Sequence, residues 1–276
     1  MVMFTPATAL VGGLVLGTAT AGKLMVSGRI LGISGAVKGF VQGSVTSWRV
    51  AFMLGMLAGA FGAARSVPAD NAGFDVLPDT FTPRCPRGLL VGLGAALGNG
   101  CTSGHGISGN ARLSPRSLVF TLMFMVAGMA AATLTNSAAA VGIAPLAARL
   151  VWPHSDVLRW GLLLLGSAVL TMAALAGIAK QVRSHQVVSL AAEFASGALF
   201  SFGLVYTGMV RPTKVIAFLS PTHPAWDPSL AFVMGGALLV ALPAFQTVMR
   251  RDDITRPFAS HHSLFQPTAA QTPSWC

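Results

Sequence analysis

Apolar residues along this chain come in long runs, without the three-and-four spacing of amphipathic helices or the alternation of half-buried strands. A hydrocarbon core of about 30 Å needs roughly 20 helical residues to cross it. Seven runs have that character: Phe4 to Val26, Trp48 to Ala64, Gly88 to Ala111, Leu118 to Leu134, Val157 to Ala179, Val187 to Val205 and Leu230 to Met249. The third is interrupted by polar residues, and the sixth runs into a break at TGMVRP. Ser137 to Val151 is apolar but short, so it is expected to lie at the surface or to re-enter. The predicted fold class is therefore all-α: a polytopic transmembrane helical bundle with broken or re-entrant helices. It forms one membrane domain over 1–249, with pseudo-repeats at about 4–134 and 157–249 and a polar loop at 65–87. That loop holds Pro68, Pro78, Pro83 and Pro86 with three Asp, and the tail 250–276 reads as flexible. The N-terminus has no basic region before its apolar run, so it is expected to be a retained first span and not a cleaved signal.

Composition agrees with a membrane solvent. Of 276 residues 53% are hydrophobic and 9% charged, too few charges to coat a water-soluble globule, and the mean hydropathy is +0.68. The net charge of +10 raises nucleic acid as a partner, but the basic residues are scattered singly, there is one Tyr, and no nucleic-acid motif occurs. Single Lys and Arg at the ends of apolar runs instead set topology and anchor headgroups, which makes the lipid bilayer the expected partner. With seven spans and the N-terminus outside, Lys23, Arg29, Lys38, Arg49, Arg112, Arg116, Lys180, Arg183, Arg250, Arg251 and Arg256 fall inside. Only Arg65, Arg84, Arg87, Arg149 and Arg159 fall outside, so a cytoplasmic C-terminus in a plasma or inner membrane is expected.

Three places break the apolar pattern, all Gly-containing: SGRILGISG from Ser27 to Gly35, GNGCTSGHGISGNARLSPRS from Gly98 to Ser117, and YTGMVRPTKVIAFL from Tyr206 to Leu219. Non-helical backbone at membrane depth persists only where protein encloses it or it lines a cavity, so each break is a candidate wall of a pathway. GISG at Gly32 to Gly35 recurs at Gly106 to Gly109, as expected of paired broken helices around a central site, whose free amides attract an anion. The competing reading is Gly-mediated helix packing.

The second break carries the most chemistry. Cys101, Thr102, Ser103 and His105 lie within five residues, flanked by Gly100 and Gly104, with Ser108 one turn on. A soft thiol suits a sulfur atom, and hydroxyls with amides suit a compact anion. A metal site is not supported, because no second Cys or His cluster occurs in another span, and no cofactor motif is present. A Cys/His nucleophile lacks a nearby acid to orient the ring, so His105 reads as a gate or hydrogen-bonding wall. Glu193, the sole Glu, sits inside the sixth run, where it would carry a coupling proton, pair with a basic residue or lie near the interface. Lys23 and Arg29 read as snorkelling anchors.

These motifs resemble the YeeE/YedE sulfur-transport membrane proteins. Gly100 to Gly128 is similar to the family signature, with Arg112, Leu113, Ser114, Arg116 and Ser117 extending the match, and SGRILGISG resembles its earlier repeat. FGLVYTGMVRPTKVIAFL and WDPSLAFVMGGA resemble a half-length companion protein, so the chain looks like a fusion of both halves. The resemblance implies an all-helical pore of inverted repeats in which re-entrant helices meet midway and cysteines mark the path of a sulfur-containing anion. Only Cys101 carries over with its role, and Ser108 stands where many relatives have a second Cys.

The expected activity is transport of thiosulfate, sulfite or hydrosulfide past a neutral constriction, without enzymatic turnover. The lining would be Gly100, Cys101, Thr102, Ser103, Gly104, His105 and Ser108, faced by Ser34 and Gly35 of the first break and by Thr207 and Lys214 of the third. The rivals are a membrane sulfurtransferase holding a persulfide on Cys101 and a non-transporting membrane subunit. A homo-oligomer or a sulfur-metabolism enzyme are the open partner choices.

Overall fold

The computed structural model describes residues 3–66, 84–145, 149–181 and 185–250. Residues 67–83 of the expected polar loop and 251–276 of the expected tail lie outside what is described, as do Arg183 and Cys276 and the side chain of Cys85. The described chain is helical apart from two short strands, Met3–Phe4 (β1) and Arg149–Leu150 (β2), which pair in parallel. The helices are α1 (Pro6–Ser27), α2 (Ile33–Val41), α3 (Ser47–Ser66), α4 (Arg84–Gly98), α5 (102–111, with Gly104–Gly109 π-helical), α6 (Pro115–Leu134), α7 (Ser137–Ala140), α8 (Ser155–Gln181), α9 (His185–Tyr206), α10 (Pro212–Leu219) and α11 (Ser229–Arg250).

Six helices are long and apolar enough to cross a membrane: α1, α3, α6, α8, α9 and α11. Each coincides with an expected span. The seventh, Gly88 to Ala111, is not one helix. It splits into α4 and α5 because Asn99 takes a left-handed conformation (φ 59°), and the amides of Asn99 and Gly100 close back onto the carbonyls of Ala96 and Ala95. That is a Schellman ending, and it divides the run into two shorter helices.

The centre of the bundle is α1, of which Met25 and Leu10 are the exposed large apolar residues. Small residues let it touch its neighbours backbone to backbone, the device that replaces hydrophobic driving force inside lipid. Gly13 and Gly17 lie on the backbone of Val233 and Ala237 of α11, Gly12 on the Gly203 carbonyl of α9 and on the Thr207 side chain just past its end, and Gly22 on the Met172 side chain of α8. Gly55 and Gly59 of α3 lie on Phe194 and Ala198 of α9.

These pairings also give direction. Contacts advance together along α1 and α11, along α1 and α8 (Val11 with Gly161, Gly22 with Met172), and along α3 and α9. Along α1 and α9 they run in opposite senses, from Gly12 with Gly203 to Lys23 with Glu193. Thus α1, α8 and α11 point one way and α3 and α9 the other. The start of α1 and the end of α11 therefore face opposite sides of the bundle. The end of α3 and the start of α8 share a side, so the chain through α4, α5 and α6 leaves that side and returns to it.

Close backbone contact makes a prediction. A Cβ at Gly55 would stand 2.1 Å from the Phe194 carbonyl oxygen, whereas one at Gly62 would meet nothing within 4 Å. Gly55→Val is expected to cost about 1–3 kcal/mol by overpacking and Gly62→Ala to be neutral, read as melting temperature of the purified protein in detergent.

Candidate functional site: the thiol between two breaks

Cys101 is the last non-helical residue before α5, and its carbonyl accepts the first helical hydrogen bond, from the His105 amide at 3.0 Å. It therefore occupies the N-cap position, where a side chain turns back over the free amides of the first turn. Here the capping atom is sulfur. The thiol lies 3.1 Å from the Ser103 hydroxyl and accepts from the Gly104 amide. Two further donors come from elsewhere in the chain, the hydroxyl and the amide of Ser34, in the first turn of α2.

The N-termini of α2 and α5 thus converge on one sulfur atom. Each supplies amides with no intrahelical partner and the positive end of a helix dipole. Between Gly98 and Gly109 there is no Asp, Glu, Lys or Arg. The positive potential at the thiol is therefore carried by backbone and hydroxyl dipoles. Gly32 and Gly35 leave the α2 side open, since a Cβ at either would meet nothing within 4 Å, and Thr102 is exposed.

The neighbouring polar residues hold this arrangement together. His105 bridges the break: its Nε2 lies 3.2 Å from the Gly98 carbonyl and its Nδ1 3.0 Å from the Ser117 hydroxyl. A carbonyl only accepts, so Nε2 carries the proton and Nδ1 accepts from Ser117. The ring packs on Phe120 at 4.2 Å and fills the space a Cβ at Gly100 would need. Arg116 donates a second hydrogen bond to the Gly98 carbonyl at 3.3 Å. Ser108, fully buried, donates to the Leu31 carbonyl in the first break at 3.2 Å, and Gln246 of α11 caps α5 by donating to the Ala111 carbonyl at 3.2 Å. The first and second breaks therefore meet, through Ser108 with Leu31 and Cys101 with Ser34.

The third break makes a separate cluster. Helix α9 ends on Gly208 (φ 72°), with the Met209 and Gly208 amides returning to the Leu204 and Val205 carbonyls, another Schellman ending. Lys214 donates to the Thr5 hydroxyl (2.9 Å) and to the carbonyl of Thr207 (3.2 Å), and Asp227 is its opposite charge. Asp227 in turn accepts from the amide and hydroxyl of Ser229, and Ser229 accepts from the Thr5 amide. Lys214 and Thr207 thus tie α9 and α10 to the start of α1, with Cys101 outside their contacts. Sequence reasoning missed Thr5, Asp227 and Ser229. The Asp-Pro-Ser order just before an apolar run, an N-terminal capping signature, was the available signal.

Lys23 is not a snorkelling anchor. It is 1% exposed, its Nζ is 2.8 Å from Glu193, and it lies 3.9 Å from the centre of the Phe52 ring. Snorkelling needs a path to water that α3 and α9 close off, and a buried ammonium in that position requires a carboxylate. Among the described residues no group of three His, Cys, Asp or Glu is placed to hold a metal ion.

Known proteins carry parts of this sequence. The profile of the family described as Sulphur transport matches residues 2–131, which contain both breaks that meet at Cys101, and that of a family of unknown function, DUF6691, matches residues 188–269. Two proteins named "Probable transporter", from Xylella fastidiosa strains Temecula1 and 9a5c, are each 43% identical over 124 residues, covering 45% of this chain and 90% of the relative. A further "Probable transporter" of strain Temecula1 is 46% identical over 59 residues, 21% of this chain and 40% of that protein. No solved structure matches the chain. A relative matched over nine-tenths of its length by less than half of this chain is a half-length protein, and two family profiles follow one another here. The chain thus matches such a half-length protein in its first half and a second profile in its second, and it belongs to the sulphur transport (YeeE/YedE) family of multi-pass membrane transporters.

Proposed function

We propose that the protein carries a small sulfur-containing anion, of the thiosulfate, sulfite or hydrosulfide class, across a plasma or inner membrane, and that the anion passes the Cys101 thiol. The observation that carries this reading is the convergence of the α2 and α5 N-termini on one sulfur atom. An anion at that point meets amides and hydroxyls from Ser34, Ser103 and Gly104 and a polarizable thiol able to touch its sulfur. No full positive charge lies in the segment around Cys101, so binding stays weak enough for release, which conduction requires. The alternative of a persulfide-forming enzyme is less well supported, because both nitrogens of His105 are engaged by Gly98 and Ser117 and leave no base for the thiol.

The orientation we propose follows the charges. Arg29, Lys38, Arg49, Lys180 and Arg250 lie at or beyond the ends of α1, α8 and α11 or before or at the start of α3, on one side of the bundle, which is the cytoplasmic side by the positive-inside rule. The C-terminus then lies in the cytoplasm.

Two outcomes test the reading. In cells lacking their own carrier, labelled thiosulfate uptake is expected to fall at least tenfold with Cys101→Ala at equal protein level, and to be retained in part by Cys101→Ser; uptake unchanged by the Ala substitution removes the thiol from the route. His105→Ala is expected to lower stability by about 0.5–1.5 kcal/mol for each of the hydrogen bonds it loses, to Gly98 and to Ser117, the Gly98 carbonyl keeping Arg116, measured as melting temperature in detergent. His105→Gln, able to donate to Gly98 and accept from Ser117, is expected to recover most of that loss.

A further inference from the structure

Glu193 has two cationic partners with different duties. Lys23 approaches one carboxylate oxygen at 2.8 Å, and both groups are fully enclosed between α1 and α9. This pair alone neutralises the carboxylate. Arg29 approaches the other oxygen at 3.4 Å, lies 3.4 Å from the Ser189 hydroxyl and is over the Trp48 ring at 5.2 Å. Arg29 is the first residue beyond the left-handed Gly28 that ends α1, and the break it opens leads in four residues to Ile33 and Ser34.

Helix α2 has a small buried face. Its buried residues are Ala36 and Gly39: Ala36 lies in the main apolar core with Ile33 packed against it, the Arg49 side chain lies across Gly39, and much of the remaining surface is exposed. A nine-residue helix with so small a buried face is marginal by itself. The break ahead of it adds the buried Leu31 and two polar ties, Ser108 to the Leu31 carbonyl and Arg29 to α9 and Trp48. We propose that Glu193 is a positioning residue for substrate: by holding Arg29 it sets how closely Ser34 approaches the Cys101 thiol, and so how tightly the anion is bound there. The inference rests on the transport reading above. It gives the buried carboxylate a task in geometry, leaving the Lys23 pair to hold α1 against α9.

The experiment starts from a protein with Cys85→Ser and Cys276→Ser, which leaves Cys101 as its single thiol. Removing both buried charges together, Lys23→Met with Glu193→Met, avoids an unpaired ion and retains apolar packing. Arg29→Gln, at a side chain 37% exposed, breaks the same tie without touching the buried pair. For both variants, KM for thiosulfate uptake is expected to rise at least fivefold with maximal rate within about twofold of the parent. Cys101 alkylation by N-ethylmaleimide is expected to slow severalfold at neutral pH, because the thiolate, the species that reacts, loses the two Ser34 donors that stabilise it. Arg29→Lys, which restores the charge without the fork, is expected to fall between parent and Arg29→Gln. A parental KM in Arg29→Gln, or an unchanged alkylation rate, overturns the inference. The alkylation needs no transport, so a parent that moves no sulfur anion yet shows the Arg29-dependent change in Cys101 reactivity fails the transport reading and not the positioning of Ser34.

Discussion

A bilayer core offers no hydrogen bonds, so a chain that stops being helical there must find a partner for every amide and carbonyl it frees. The central region of this protein is arranged around that constraint. Helices α1, α4 and α9 each end on a left-handed residue, Gly28, Asn99 and Gly208, which folds the next amides back onto the last carbonyls. Carbonyls that remain are taken by side chains: Gly98 by His105 and Arg116, Leu31 by Ser108, Ala111 by Gln246 and Thr207 by Lys214. The amides that remain, at the starts of α2 and α5, are turned toward Cys101. Unsatisfied donors are a liability in a structural helix and an asset where an anion must pass.

The same solvent governs the packing. Hydrophobicity holds the helices in lipid but does not hold them to each other, and contact is gained where glycine admits a neighbouring backbone. Gly13, Gly17, Gly55, Gly59 and Gly236 do this along α1, α3 and α11. Ionic groups are few and consequently placed with care. One buried cluster, Lys23 with Glu193 and Arg29, lies toward the end of α1; the other, Lys214 with Asp227, Thr5 and Ser229, lies at its beginning. The central helix and α9 are tied at both ends by charge and in the middle by small residues, leaving the short helices α2, α5 and α10 to carry the breaks.

The proposed anion route has no Asp, Glu, Lys or Arg between Gly98 and Gly109, in keeping with these two economies. A Lys or Arg at the constriction would need a permanent counter-charge in low dielectric and would hold an anion strongly. Helix ends supply partial charge that is already paid for by the fold and needs no counter-ion. Of the basic residues near Cys101 in sequence, Arg112 lies beyond the end of α5 and Arg116 in α6, where it donates to the Gly98 carbonyl at the end of α4.

What the sequence determined by itself was whatever the solvent dictates residue by residue. Run length and the lack of charge fix six spans almost to the residue, Gly and Asn positions mark the breaks, and Cys101 stands out by its neighbours. The motif also identified the family, because a local string is enough for that. Tertiary structure decided everything that depends on which segments meet. It divided the run from Gly88 to Ala111, since an Asn in a helical pattern does not disclose that it will turn left-handed. It brought Ser34 to Cys101 and Ser108 to Leu31 across more than sixty positions, gave His105 a bracing task, and showed Lys23 to be half of a buried pair. The pairing of a buried charge is a property of the space between helices, and no position along the chain records which helix will close that space.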